Sequence, residues 1–166
     1  MNPVNCPECD AEITLEANPG TVEATRFREY RAAGVNRLSL GIQSFSAAHL
    51  KALGRIHDDV QARRAIDMAR AHFDNFNLDV MYALPRQSVN EALADIEAAL
   101  SFEPPHLSAY HLTLEPNTYF HRYPPKLPDD DVSADMQLAI ETLLAEHGYD
   151  NYETSAFAQA GARCRD

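Results

Sequence analysis

Three short stretches, Glu12-Ile13-Thr14-Leu15-Glu16, Arg37-Leu38-Ser39-Leu40-Gly41-Ile42-Gln43 and Phe76-Asn77-Leu78-Asp79-Val80-Met81-Tyr82, follow one pattern. Each alternates apolar residues with small or polar ones, and each carries an acid or amide among its polar positions towards the C-terminal end. Side chains on a strand point to opposite faces in turn, so Ile13 and Leu15 oppose Thr14 and Glu16. Leu38, Leu40 and Ile42 likewise oppose Ser39, Gly41 and Gln43, and Phe76, Leu78, Val80 and Tyr82 oppose Asn77, Asp79 and Met81. If such strands lie parallel, with helices between them, Glu16, Gln43 and Asp79 converge at one rim of one sheet. In parallel barrels that rim carries the chemistry.

Helices fit between these strands. Thr21 is a capping residue for a helix to about Ala33, with Val22, Phe27 and Tyr30 towards the sheet and Gly34 as its stop. Ser46 to Leu53 reads as a short helix closed by Gly54. Asp58 or Asp59 opens another, which carries Val60, Ile66 and Ala69 and ends near His72. Ser88 and Glu91 make a capping box ahead of a Leu93, Ile96, Leu100 stripe. A fourth strand, His106 to about Leu112, follows Pro104-Pro105. Alternating strands and helices imply an α/β fold with a parallel sheet within residues 1–114. Residues 115–130, rich in proline, read as a connector, because proline lacks the ladder donor. Asp130 or Asp131 then opens an amphipathic helix bearing Val132, Met136, Ile140, Leu143 and Leu144, stopped by Gly148. Residues 131–166 are read as the start of a further helical and extended region.

Composition narrows the function classes. Among 166 residues, 25 Asp and Glu outnumber 14 Lys and Arg, giving a formal charge of −11, which disfavours nucleic acid as a partner. No apolar run of about 18 residues exists to span a membrane. The first residues, Met1-Asn2-Pro3-Val4-Asn5, lack the features of a secretory signal, so a cytoplasmic location is expected. Three cysteines argue against a disulfide framework. Cys6-Pro7-Glu8-Cys9 offers two thiolates; a zinc site would need two further ligands, and Cys164 is too remote in sequence to complete a motif by spacing. His49, His72 and His147 fall where helix surfaces put solvated side chains. His57, His106, His111 and His121 lie near strand ends or the connector and are the better-placed candidates for a ligating role.

The phrases Glu12-Ile13-Thr14-Leu15-Glu16-Ala17-Asn18-Pro19-Gly20, Asn36-Arg37-Leu38-Ser39-Leu40-Gly41-Ile42-Gln43-Ser44-Phe45, Gly54-Arg55-Ile56-His57 and Asn77-Leu78-Asp79-Val80-Met81-Tyr82-Ala83-Leu84-Pro85 closely resemble the radical S-adenosylmethionine (SAM) superfamily. Within it they are similar to the oxygen-independent coproporphyrinogen III oxidase family, over about residues 10 to 164. True oxidases tend to carry Gln-Asp-Phe at the second phrase and Asn-Arg-x-Gln after it. Gln43-Ser44-Phe45 and Gly54-Arg55-Ile56-His57 resemble the HemW-type heme chaperone branch instead, as does Leu112-Thr113-Leu114-Glu115-Pro116-Asn117-Thr118.

That resemblance implies a barrel of the radical SAM, TIM-like type, truncated at its N-terminus. It implies that Glu16, Gln43, Arg55 and Asp79 line a SAM site, and that full-length relatives bind SAM and a 4Fe-4S cluster, with heme or porphyrin and heme-acceptor proteins as partners. Ala83 departs from the Tyr-Gly-Leu-Pro of many relatives. No Cys-x3-Cys-x2-Cys triplet occurs, so no cluster and no radical activity are expected of this chain by itself. Two other readings stand beside this one, a non-catalytic module binding heme or a protein and a metal-dependent barrel hydrolase. The hydrolase would want histidines at strand ends, which the first three strands lack. An uncovered first strand is expected to favour a homo-oligomer.

Overall fold

The computed structural model describes residues 11–21 and 24–164. The Cys6–Cys9 pair and residues 22 and 23 of the helix expected after Thr21 lie outside the described residues. Four parallel strands, β1 (Thr14–Ala17), β2 (Arg37–Gln43), β3 (Phe76–Tyr82) and β4 (His106–His111), stand side by side in chain order. Helices α1 (Ala24–Ala32), α2 (Ala47–Ala52), α3 (Asp59–Arg70) and α4 (Val89–Leu100) fall between them, as the alternation of patterns requires. After β4 come a single helical turn, α5 (Tyr119–Arg122), and the long α6 (Asp130–Glu146). A hairpin of β5 (Asp150–Glu153) and β6 (Ala156–Ala158) ends the described chain. β6 pairs antiparallel with β4, so the last segment completes the same six-stranded sheet, in the order β1-β2-β3-β4-β6-β5.

Local chemistry explains the element boundaries. Ser46, Asp58 and Ser88 accept the third backbone N–H of their helices, and Asp58 with Gln61 and Ser88 with Glu91 close full capping boxes. Asp129, one residue before the expected acids, is the cap of α6. Gly54 at φ 70° and Gly148 at φ 79° end helices where a left-handed residue is needed. The proline-rich connector is not wholly irregular: Thr118 caps the four-residue α5. Val60, assigned to the buried side of α3, is 66% exposed, whereas Ala62, Ala65, Ile66 and Ala69 are buried.

The two faces of the sheet differ sharply in chemistry. Leu38, Leu40, Ile42, Leu78, Val80 and Leu107 lie on one face, nearly inaccessible, against Phe27, Ile66, Phe73, Ile96 and Met136 from the covering helices. Truncating one such side chain to alanine costs about 2–5 kcal/mol. The opposite face is polar: Glu16 is in register with Ser39, Ser39 with Asn77, Asn77 with His106, and Asp79 with Gly41 and Ser108. This second, polar face is termed luminal, after the inward side of a parallel β/α barrel. Among the described residues, no helix is long and apolar enough to cross a membrane.

Candidate functional site

Glu16, Gln43 and Asp79, on three different strands, line one cleft of about 490 Å³ at the C-terminal rim of the luminal face. Ser39, Met81, Tyr110, His111 and Glu115 share its wall. Alternation puts Gln43 on this face, but the strand is not regular where it ends. The β2–β3 register slips between Gly41 and Gln43, and Gln43 takes φ 69°. This bulge re-aims the side chain. A Cβ on Gly41 would stand 2.9 Å from Gln43 Nε2 and 3.3 Å from Asn18 Oδ1, so the amide lies over a position that only glycine leaves free.

Two buried groups outside the cleft fix that bulge. His57 Nε2 is 3.1 Å from the carbonyl oxygen of Ile42. Asp95, 4% exposed on α4, accepts from Ser44 Oγ at 2.6 Å and from the Phe45 backbone N–H at 2.7 Å. Burial pushes the Asp95 carboxyl above the usual carboxylate range, although both hydrogen bonds oppose that shift. The two residues after Gln43 are therefore pinned to α4, and the turn cannot swing away from the rim.

Below the rim, hydrogen bonds cross the sheet in an unbroken chain. Ser39 Oγ donates to Asp79 Oδ2 at 2.9 Å, while Asn77 Nδ2 donates to Asp79 Oδ1 at 2.7 Å and to Ser39 Oγ at 2.8 Å. Asn77 Oδ1 in turn accepts from Ser108 Oγ at 3.2 Å and from His106 Nδ1 at 2.7 Å. An amide oxygen facing Nδ1 sets the proton on that nitrogen, so His106 Nε2 is the acceptor and takes the Tyr152 hydroxyl at 2.5 Å. Burial, and after it the Arg37 guanidinium, lowers the His106 pKa to about 4. At the rim the sign reverses for Asp79. Burial raises its pKa and the Glu16 charge adds to the rise, against the hydrogen bonds from Ser39, Asn77 and Ser108.

Of the four residues expected to line a site, three share the cleft. Arg55 is exposed on the turn after α2 and is not among the cleft-lining residues. The histidines divide differently from expectation. His49 is only 6% exposed, with no hydrogen-bond partner at Nδ1 among the described residues, because α2 turns that side inward. His57 and His106 are buried and engaged in hydrogen bonds, which leaves His111 and His121 as the exposed candidates. The His111 ring packs edge-on to Tyr82 at 5.4 Å. Ala83 sits at φ 57°, a left-handed conformation that suits glycine better than alanine. Asn77, Ser108 and Asp95 were not singled out by sequence. Asp95 was within reach, since it shares the spacing of Ala92, Ile96 and Ala99 on the buried face of α4.

A parallel β/α sheet with apolar residues under its helices and acids and amides along its other face defines a barrel-type scaffold. The model of the radical SAM superfamily matches residues 7–99, and the chain belongs to that superfamily. It is 55% identical over 157 residues to the heme chaperone HemW of Escherichia coli (strain K12), covering 94% of this chain and 42% of the relative. To the heme chaperone HemW of Haemophilus influenzae it is 52% identical over 159 residues, 95% of this chain and 42% of the relative. Among solved structures, the coproporphyrinogen III oxidase HemN of Escherichia coli, a radical SAM enzyme, superposes with a TM-score of 0.83 at 26% identity. That match covers 92% of this chain and 36% of the oxidase. The chain thus spans about two fifths of the length of these relatives.

Proposed function

We propose that the rim cleft is one wall of an S-adenosylmethionine pocket in a protein that handles heme or porphyrin. The observation that carries this reading is the convergence of Glu16, Gln43 and Asp79 in one cleft of about 490 Å³, built by a strained bulge and a glycine. The donor set suits the ligand. Glu16 accepts from the ammonium of the methionyl group, and Gln43 and Asp79 bond the ribose hydroxyls. Arg55 meets the methionyl carboxylate from its exposed turn. The same residues do not suit a 4Fe-4S cluster, which needs a cysteine triplet that the sequence lacks; Cys164 stands beside His106, away from the rim. Reductive cleavage of SAM is therefore not assigned to this chain alone. Its place is the cytoplasm, and its short outer strand β1 supports self-association.

The heme part of the reading draws on the relatives' names and on one local feature. Tyr119 and Phe120, with Tyr119 73% exposed, stand over a hollow of about 620 Å³ floored by residues 51–54, and Tyr119 also packs against Tyr123. An exposed aromatic surface of this kind suits a flat macrocycle, and His121 lies on the same helical turn.

Calorimetric titration of the chain with SAM tests the first part. Saturable binding that Asp79→Asn and Gln43→Ala each weaken by about tenfold supports it, and binding unaffected by both variants contradicts it. A hemin titration tests the second: a Soret shift lost in Tyr119→Ala supports it, and a flat response contradicts it.

A further inference from the structure

A second hollow opens where the connector crosses the turn between β3 and α4. It measures about 700 Å³, within the range of small-molecule sites, and shares no lining residue with the rim cleft. Arg86 and Gln87 line it from the turn, and Lys126 lines it from the connector. The Arg86 backbone N–H donates to the Lys126 carbonyl oxygen at 3.0 Å, so both cationic side chains spring from one joined wall. Among the described residues, neither side chain has an ion-pair partner. Arg86 is also held at φ 61°, a left-handed conformation that is costly for any residue with a Cβ. Backbone strain of this kind gathers at ligand sites.

Gln87 supplies an independent sign that something is bound here. It is 3% exposed, and its Oε1 accepts from the Leu84 backbone N–H at 3.1 Å. That bond settles which end of the amide is oxygen and leaves Nε2 as a donor. Nε2 is buried and has no hydrogen-bond partner among the described residues. Buried donors are nearly always paired, so an orphan amide bordering a hollow calls for an acceptor.

The remaining lining residues define what kind of acceptor fits. Guanidinium, ammonium and amide N–H are all donors, which selects an anion. Asp129 is already engaged, since its Oδ1 accepts from the Val132 backbone N–H at 2.9 Å and caps α6. Arg86 and Lys126 against Asp129 leave one positive charge in excess, enough for a monoanion and too little for a phosphate dianion. The planar fork of arginine matches a carboxylate, and Leu127, Pro128 and Val132 give the hollow an apolar side.

We propose that this hollow binds an organic monocarboxylate. The carboxylate lies among Arg86, Lys126 and Gln87 Nε2, and the apolar body rests on Leu127, Pro128 and Val132. The site stands independently of the SAM reading.

Two-dimensional amide NMR of the full chain, titrated with hexanoate, decides this. Saturable shifts are expected at the Gln87 side-chain amide and at the backbone of Arg86, Lys126 and Val132, with Glu16, Gln43 and Asp79 unmoved. Arg86→Gly keeps the turn, because glycine accepts φ 61°, and weakens binding by about tenfold or more. Lys126→Gln, at an exposed position, weakens it severalfold. Hexanamide, which has the same body without the charge, binds at least about tenfold more weakly. Hexanamide binding as tightly as hexanoate, or hexanoate binding unchanged by Arg86→Gly, overturns the proposal. So does inorganic phosphate shifting the same resonances at lower concentration than hexanoate, and so does the absence of shifts at this hollow.

Discussion

The luminal face has two ends built from the same residue types, and they are partnered very differently. Towards the lower end, Asn77 uses both its amide hydrogen-bonding groups, His106 uses both ring nitrogens, and Arg37 pairs with Glu12 at 3.6 Å. At the rim, Glu16 is exposed, Gln43 is held over a glycine by a strained bulge, and Asp79 carries a raised pKa beside another acid. A buried polar network that is largely paired, although Arg37 Nε makes no hydrogen bond among the described residues, stabilises and orders a sheet. Polar groups gathered in a cleft at some conformational cost are arranged for something that arrives later. One seam therefore serves as scaffold at one end and as site at the other, with Asn77 as the joint.

The contrast breaks most visibly at that joint. Asn77→Ala leaves His106 Nδ1–H, the Ser108 hydroxyl and one Asp79 oxygen short of a partner, and is expected to cost about 3–5 kcal/mol in urea unfolding. A loss below about 1 kcal/mol would show that the network does not carry the fold. The next effect is a pH dependence. His106, with a pKa of about 4 folded against 6.5 unfolded, binds fewer protons in the native state between those values. Its contribution of up to about 3 kcal/mol is complete above pH 6.5 and lost as the pH falls towards 4. Asp79 and Asp95, both raised, act in the opposite sense and gain stability as acid protonates them in the carboxylate range. Melting temperature against pH should slope upwards from 4 to 6.5, and His106→Gln should flatten that slope.

Closer to the rim the stability effects shrink. Asp95→Ala frees the turn after Gln43 and is expected to cost about 2 kcal/mol, while weakening SAM binding through a residue that does not line the cleft. Glu16→Gln, on an exposed strand position, is expected to change stability by less than about 0.5 kcal/mol and still weaken SAM binding. A large stability loss on that substitution would move Glu16 from site to scaffold.

What sequence could and could not reveal follows the same division. Strict alternation in β2, β3 and β4 made the two faces legible, because a period of two leaves one assignment for each residue. The caps at Ser46, Asp58 and Ser88 set helix starts for a similarly local reason. The β2 bulge was not legible, since the slip at Gln43 is imposed by His57 and Asp95, far along the chain. Nor was the burial of His49 and His106, which depends on what packs over them. The pairing of Cys164 with His106, 58 residues apart, needs the β6–β4 pairing to exist. Single residues in a regular strand announce themselves; residues that hold a strand's exception do not.

Two-dimensional amide NMR of the chain titrated with S-adenosylmethionine tests the central claim most directly, because it reads both ends of the seam at once and registers weak binding. Saturable shifts at Glu16, Gly41, Gln43 and Asp79, with Arg37, His106 and Tyr152 unmoved, are the expected result. Shifts confined to the His106 end, or no shifts at the rim at saturating SAM, would contradict the assignment of the rim as the ligand site.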